Sequence, residues 1–298
     1  MENTGDYRHK PVLLKEAIDL LVTDPEGLYL DATMGLGGHS ESILRALSQR
    51  GKLLGMDLDP EAVSLTQTRL KDFPGQFKAV CANFRSAAGV LEAEKFFPLT
   101  GALFDLGVSS MQLDKPERGF SIMREGPLDM RFSPNSPLTA ETIVNRWPEE
   151  QLALLIKEFG EEPAAKRIAG AIVARRKKEP FKSTADLAKH IASFIPRAGI
   201  HPATRTFMAL RIAVNAEFEN ITRGIESVLG HMRPGGRILV ITFHSLEDRL
   251  VKKLFSSFVI QGTCRFVGKK DGVMRPSVAE VESNPRARSS KLRVMEKL

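Results

Sequence analysis

The feature that most constrains this chain is a rhythm in its first hundred residues, where three short apolar runs each end in an aspartate. Leu28-Tyr29-Leu30 runs into Asp31, Lys52 to Met56 into Asp57, and Ala102-Leu103-Phe104 into Asp105. Phe77 to Cys81 reads as a further strand before the last of these. Helix-like segments separate them. Ser40 to Leu47 carries Ile43, Leu44 and Leu47, and a second helix opens at Pro60 and carries Ala62, Val63, Leu65 and Leu70. Proline suits a first helical turn, where its missing N–H costs nothing. Strand, helix, strand at this spacing predicts an α/β fold built on a mostly parallel sheet with crossover helices.

After Asp105 the rhythm stops. Residues 113–206 hold no convincing strand; a turn-rich stretch, Ser133-Pro134-Asn135-Ser136-Pro137, leads into helical segments near 149–159, 163–177 and 184–194. They read as an inserted helical domain, with residues 1–112 and 207–298 forming the sheet domain around it. One long helix is expected from about Phe207 to Met232, its apolar stripe made by Leu210, Val214, Phe218, Ile221, Ile225 and Val228. Pro234-Gly235-Gly236 then stops the chain and starts a strand from Ile238 to Phe243. Ser245, with Asp248 three residues on, predicts a capping box for a helix through Phe258. Residues 260–290 read as irregular and basic, and Leu292 to Met295 as a last strand.

Between the first strand and its helix lies Asp31-Ala32-Thr33-Met34-Gly35-Leu36-Gly37-Gly38-His39. Glycines serve where backbone turns tightly or where a ligand must approach without a Cβ. The helix start beyond them offers N–H groups with no partner inside the helix. Asp57 ends the next strand, where a carboxylate can accept both ribose hydroxyls of an adenosine. A dinucleotide fingerprint would need glycine or alanine where Ser40 stands. Asp31, four residues before Gly35, would repel a pyrophosphate and attract an amino group or a sulfonium. The pattern therefore favours S-adenosylmethionine over a nicotinamide dinucleotide, and no Walker loop occurs. Asp105 ends a strand at the carboxyl edge, where open α/β sheets hold ligands. If the acceptor is the exocyclic amine of a base, Asp105 is the carboxylate best placed to take its hydrogen bond as the nitrogen becomes positive. Cys81 falls in a strand and Cys264 has no Pro-Cys context, which points away from a cysteine nucleophile and towards N- or O-methylation.

Charge bears on the partner. The net charge is +7, yet residues 163–206 carry 10 basic and 2 acidic side chains and residues 249–298 carry 12 and 4. Two basic blocks on an otherwise acidic chain suggest a polyanion, and Arg175-Arg176-Lys177-Lys178, Arg205 and Arg211 are the expected phosphate contacts. A chain of 298 residues with two cysteines, no CxxC or HExxH pattern and no long apolar run fits a cytoplasmic protein without a structural metal. His244 and Ser245 are expected to line the target side.

Longer strings carry a family resemblance: HKPVLL from His9, DATMGLGGHS from Asp31, DLGVSSMQL from Asp105, RGFSIMREGPLDMR from Arg118, HPATRTFMALRIAVN from His201, FHSLEDR from Phe243 and NPRARSS from Asn284. Together they resemble the MraW family of ribosomal RNA small subunit methyltransferases H, from His9 to the C-terminus. The resemblance implies a class I S-adenosylmethionine-dependent methyltransferase, Rossmann-like, with a helical insertion after the fourth strand. It implies N4-methylation of a decoding-centre cytidine in 16S rRNA, with S-adenosyl-L-homocysteine as product. Gly37, Gly38 and His39 resemble the loop that holds the methionine part of the cofactor, Asp57 the ribose ligand and Phe84 the adenine contact. Asp105 and Gln112 resemble the remaining cofactor-site residues. The wider amino-methyltransferase pattern often has Asp/Asn-Pro-Pro-aromatic where this chain reads Asp105-Leu106-Gly107-Val108, so the aromatic that stacks on the base is open, with Phe120 and Phe132 as candidates. A nicotinamide-dependent oxidoreductase and a non-enzymatic RNA-binding assembly factor are the competing readings.

Overall fold

The computed structural model describes residues 10–197, 199–268 and 273–298. His9, which opens the first family string, and residues 269–272 of the basic 260–290 segment lie outside them. The chain divides into two compact units, Met1–Gly107 with Phe218–Leu298, and Val108–Glu217.

The first unit begins with α1 (Leu14–Leu21), β1 (Leu28–Asp31), α2 (Gly38–Ala46), β2 (Lys52–Asp57), α3 (Pro60–Arg69), β3 (Phe77–Cys81), α4 (Ala87–Ala93) and β4 (Leu99–Asp105). The second unit holds α5 (Ser110–Asp114), α6 (Ala140–Arg146), α7 (Glu149–Gly160), α8 (Ala165–Arg176), α9 (Thr184–Ala192) and α10 (Thr204–Val214). The chain returns to the first unit along α11 (Glu217–Gly230). It finishes with β5 (Met232–Thr242), α12 (Ser245–Ile260), β6 (Cys264–Phe266), β7 (Val273–Met274), α13 (Val278–Ser283) and β8 (Lys291–Lys297).

The sheet order is β3-β2-β1-β4-β5-β8-β6, with β7 paired to β8. The strands from β3 through β5 are parallel, and β8 runs antiparallel between β5 and β6. This is an α/β Rossmann-like sheet. Its inner strands β1, β2 and β4 are almost continuously buried because both faces are covered, while β3 at the edge is partly exposed. Leu30 and Leu54 face one core with Ile221, Ile225 and Val228 of α11, while Tyr29 and Leu53 face the other with Ala17 and Leu21 of α1. Strand order reverses between β1 and β4, and ligands of open α/β sheets sit beyond the carboxyl ends of strands at such a switch point. Asp31 and Asp105 end those two strands.

Four expectations are corrected. The single helix over 207–232 is two helices. Ala216 sits at φ 48, and Asn215 closes α10 by accepting from Phe132 N–H and donating to the Met130 and Arg211 carbonyls. Leu210 and Val214 therefore serve the core of the second unit, while Ile221, Ile225 and Val228 serve the sheet. The division between units consequently falls after Glu217 instead of before Phe207, and after Gly107 instead of after residue 112. Arg211 and Glu217 bond bidentately across the break at 2.8 and 2.9 Å, which spends the guanidinium reserved for RNA. Lastly, α12 is capped one residue earlier than expected, by His244 with Glu247 in place of Ser245 with Asp248. Asp248 instead pairs with Lys291 and Arg293 of β8, whose charges hold its carboxyl below the ordinary range against the opposing effect of burial.

Candidate active site

The carboxyl edge of β1, β2 and β4 brings together Asp31, Asp57 and Asp105, with Gly37, Gly38 and His39 on the loop and first turn that follow β1. Asp31 is 1% exposed. Its Oδ2 accepts from Ser40 Oγ at 2.6 Å and its Oδ1 from Thr33 N–H at 3.2 Å. Burial pushes its carboxyl above the usual range, against the bonds from Ser40 and Thr33 and the neighbouring His39. Sealed in this way, Asp31 acts on its surroundings through its charge. The serine that breaks the dinucleotide pattern is thus the residue that holds this carboxylate.

Asp57 is partly buried. Gly35 N–H donates to its Oδ2 at 2.8 Å and Asp59 N–H to its Oδ1 at 2.9 Å. Burial outweighs these donors and pushes the carboxyl up to about 6. The Gly35 contact ties the glycine loop to the end of β2, and Thr66 Oγ1 donates to Gly35 O at 2.6 Å from α3.

The glycines owe their place to packing more than to open space. Gly37, at φ 79, is the N-cap of α2 and no side chain caps that helix. A Cβ at Gly37 would stand 2.8 Å from Thr66 Cγ2, and one at Gly38 would stand 2.5 Å from Pro11 Cγ. The expectation that these positions are bare so that a ligand can approach is therefore corrected. The protein's own side chains close the Cβ side, and the N–H side of the first helical turn is the part suited to an anion.

His39 is buried, with Nε2 3.1 Å from Val12 O and Nδ1 3.4 Å from Asp105 Oδ2. Asp105 N–H donates to Thr33 Oγ1 at 2.6 Å, which locks the end of β4 to the loop after β1. Asp105 Oδ1 is buried and has no hydrogen-bond partner. A buried carboxylate oxygen without a donor is costly, and it calls for a group from outside the chain. The threonine and serine of this site, Thr33 and Ser40, escaped sequence reasoning. The only signal was their place two residues after Asp31 and one after His39.

Phe84 follows β3 in a 3-10 turn; its ring meets Phe104 edge-on at 5.6 Å and closes on Gly224, whose absent Cβ would stand 2.6 Å from it. Gln112 belongs to the second unit, where its Oε1 accepts from Ser109 N–H and its N–H donates to Ser109 Oγ in a capping box for α5. Phe120 and Phe132 stack on each other at 5.7 Å in that unit. His244 accepts from Glu247 N–H through Nδ1 and faces Glu247 Oε1 through Nε2 at 3.0 Å, so its ring serves the helix start.

The expected phosphate run divides. Arg175 bonds Asp186 and the Glu179 carbonyl and lies over the Phe181 ring at 4.3 Å. Arg176 donates to the Val144 and Trp147 carbonyls, each at 2.6 Å, and so ends α6. Both arginines are structural, and Lys177 and Lys178 are the exposed members. Arg205 is half-buried, donates to the Glu161 carbonyl and holds its guanidinium 3.8 Å from Glu162. No described helix is long and apolar enough to cross a membrane.

Comparison with known proteins finds similarity along nearly the whole chain. Proteins called ribosomal RNA small subunit methyltransferase H are similar to it. That of Halothermothrix orenii is 45% identical, covering 97% of this chain and 98% of that relative. That of Caldicellulosiruptor bescii is 45% identical, covering 98% and 100%. That of Thermomicrobium roseum is 44% identical, covering 100% and 96%. The model of the MraW methylase family matches residues 6–298, and the chain belongs to that family.

Proposed function

We propose that this chain transfers a methyl group from S-adenosylmethionine to N4 of a decoding-centre cytidine in 16S rRNA of the small ribosomal subunit. The observation that carries the reading is Asp105 Oδ1, a buried and unpartnered acceptor at the switch point of the sheet. The residues around it fit the cofactor. Asp31 and Asp105 place negative charge beside one another at the ends of β1 and β4, which suits a cationic amino acid and sulfonium. Asp57 is the ribose acceptor and Phe84 the adenine contact. Gly37, Gly38 and His39 lie on the loop for the methionine part, and Gln112 is a further cofactor residue only as the family resemblance implies it.

When bound, S-adenosylmethionine supplies an electrophilic methyl group on a positively charged sulfur. The work left to the protein is alignment and the exclusion of water, and alignment alone can be worth roughly 7–11 kcal/mol. Asp105 Oδ1 would accept an N–H of the cytosine amine and would receive that proton once the nitrogen carries the methyl group. That bond directs the nitrogen lone pair along the transfer line and stabilises the positive charge that grows on nitrogen. The base must leave its stack to reach the site.

The Val108–Glu217 unit is the substrate-recognition domain. Its exposed Lys177 and Lys178 lie in the block of 10 basic residues and 2 acidic ones, which suits phosphate binding. Two free thiols, Cys81 and Cys264, suit a reducing cytoplasm. The test is nucleoside analysis of 16S rRNA from small subunits incubated with purified protein and labelled donor. N4-methylated cytidine at one decoding-centre position is the expected product. Label on another base or another atom would refute the reading.

A further inference from the structure

The ring of His39 has an acceptor at each nitrogen. Val12 offers a carbonyl oxygen, which can only accept, so Nε2 must carry a proton to make the 3.1 Å contact. Nδ1 stands 3.4 Å from Asp105 Oδ2, and a carboxylate can likewise only accept. A neutral imidazole satisfies one of these and leaves two lone pairs facing each other at the second. The charged groups that face the ring are Asp105 from the end of β4 and Asp31 from the end of β1. The third neighbour, the Val12 carbonyl ahead of α1, is neutral. Neither ring nitrogen is left over for a ligand.

We propose that His39 is a positioning residue, a buried imidazolium that grips Asp105 by Oδ2 and thereby aims Oδ1 at the amine of the substrate. This rests on the methyl-transfer reading above and deepens it, since it moves His39 from cofactor contact to support of the acceptor. Three further observations agree with it. Asp105 Oδ1 is the oxygen left without a partner, as an aimed acceptor would be. The other handle on Asp105, its N–H to Thr33 Oγ1, holds only the backbone, so the side-chain torsion depends on His39. Burial disfavours the charged ring, yet the bond and charge of Asp105, with the charge of Asp31, more than offset it and raise His39 above its ordinary value. With His39 charged, the three groups sum to one negative charge, which a singly cationic ligand neutralises.

Two substitutions separate the two ends of the ring. His39→Asn keeps an N–H close to the Nδ1 position and loses the bond to Val12. His39→Gln reaches towards Val12 and loses Asp105. Misplacing a reacting group by about 1 Å costs roughly a hundredfold in rate. We therefore expect His39→Gln to lose roughly a hundredfold in turnover and His39→Asn to stay within roughly tenfold of wild type. The difference in turnover between the two variants should not be matched by a difference in their affinity for S-adenosylhomocysteine, measured by calorimetry. Equal losses of turnover in the two variants, or a loss accounted for by weakened cofactor binding, would overturn the proposal. Ring-nitrogen NMR of His39 in the wild-type protein gives a readout that needs no turnover. Both nitrogens should be protonated at pH 7.5, and in Asp105→Asn the ring should become neutral at that pH. A neutral ring in wild type refutes the proposal. If wild type shows the imidazolium but methylates no rRNA, the proposed substrate fails and the positioning of Asp105 stands.

Discussion

A test of the proposed ribose site lies in the pH dependence of Asp57. Its carboxyl titrates near 6 in the folded protein against 3.8 as a free side chain. The folded state therefore holds on to this proton more tightly than the unfolded state does. The stability that results is fully present below pH 3.8 and is lost as pH rises through about 6. Between pH 8 and pH 5 the linkage relation gives a gain of about 1.4 kcal/mol from this one group. Asp57→Asn has no proton to exchange, so it should lack that increment. Urea denaturation of both proteins at pH 5 and pH 8 isolates it, because the other titrating groups cancel in the comparison. Cofactor binding runs the opposite way. Ribose hydroxyls donate to the charged carboxylate, so the ligand must expel the proton, and affinity for S-adenosylhomocysteine should fall by up to about tenfold per pH unit below about 6. Calorimetric titrations at pH 7.5, 6 and 5 read this directly. Constant affinity over that range, or the same pH increment in wild type and Asp57→Asn, would refute the assignment of the ribose to this carboxylate.

Other expectations follow from the same geometry. Asp105→Asn should lower turnover by about a hundredfold or more, and near-normal methyl transfer from labelled donor would remove its acceptor role. Arg176→Ala takes a charged donor from two carbonyls at the end of α6 and should cost about 2–3 kcal/mol in urea denaturation; an unchanged midpoint would show that the cap is dispensable. Lys177→Ala with Lys178→Ala should instead weaken rRNA binding and flatten its salt dependence while leaving the fold intact, and an unaltered salt slope would take these lysines out of the interface. Gly37→Ala meets both a left-handed backbone and Thr66, so thermal denaturation should register a loss of about 1–3 kcal/mol.

The aspartates that end β1, β2 and β4 were legible in the sequence because a parallel strand announces itself as a continuous apolar run with an abrupt polar stop. The insertion was legible for the complementary reason, a long absence of such runs between Asp105 and the resumed sheet. The strings from Asp31 to Ser40 and from Asp105 to Leu113 carry the family resemblance by themselves. All of these signals are local, set by side-chain periodicity and by neighbours a few residues apart.

Partners far apart in the chain were decided only by the tertiary structure. A 3.6-residue stripe over 207–232 cannot say that its halves serve different cores, because the break at Ala216 is made by Asn215 reaching Met130 and Phe132. Four consecutive basic residues look alike in sequence, yet Arg175 grips the Asp186 carboxylate and Arg176 two backbone carbonyls at the end of α6, while Lys177 and Lys178 face water. His39 and Asp105 lie 66 positions apart, and nothing local states that one ring will stand between Val12 and that carboxylate. Periodicity encodes which face of an element is buried. What lies against that face, and which buried oxygen is left waiting for a donor, depends on the packing of the whole sheet.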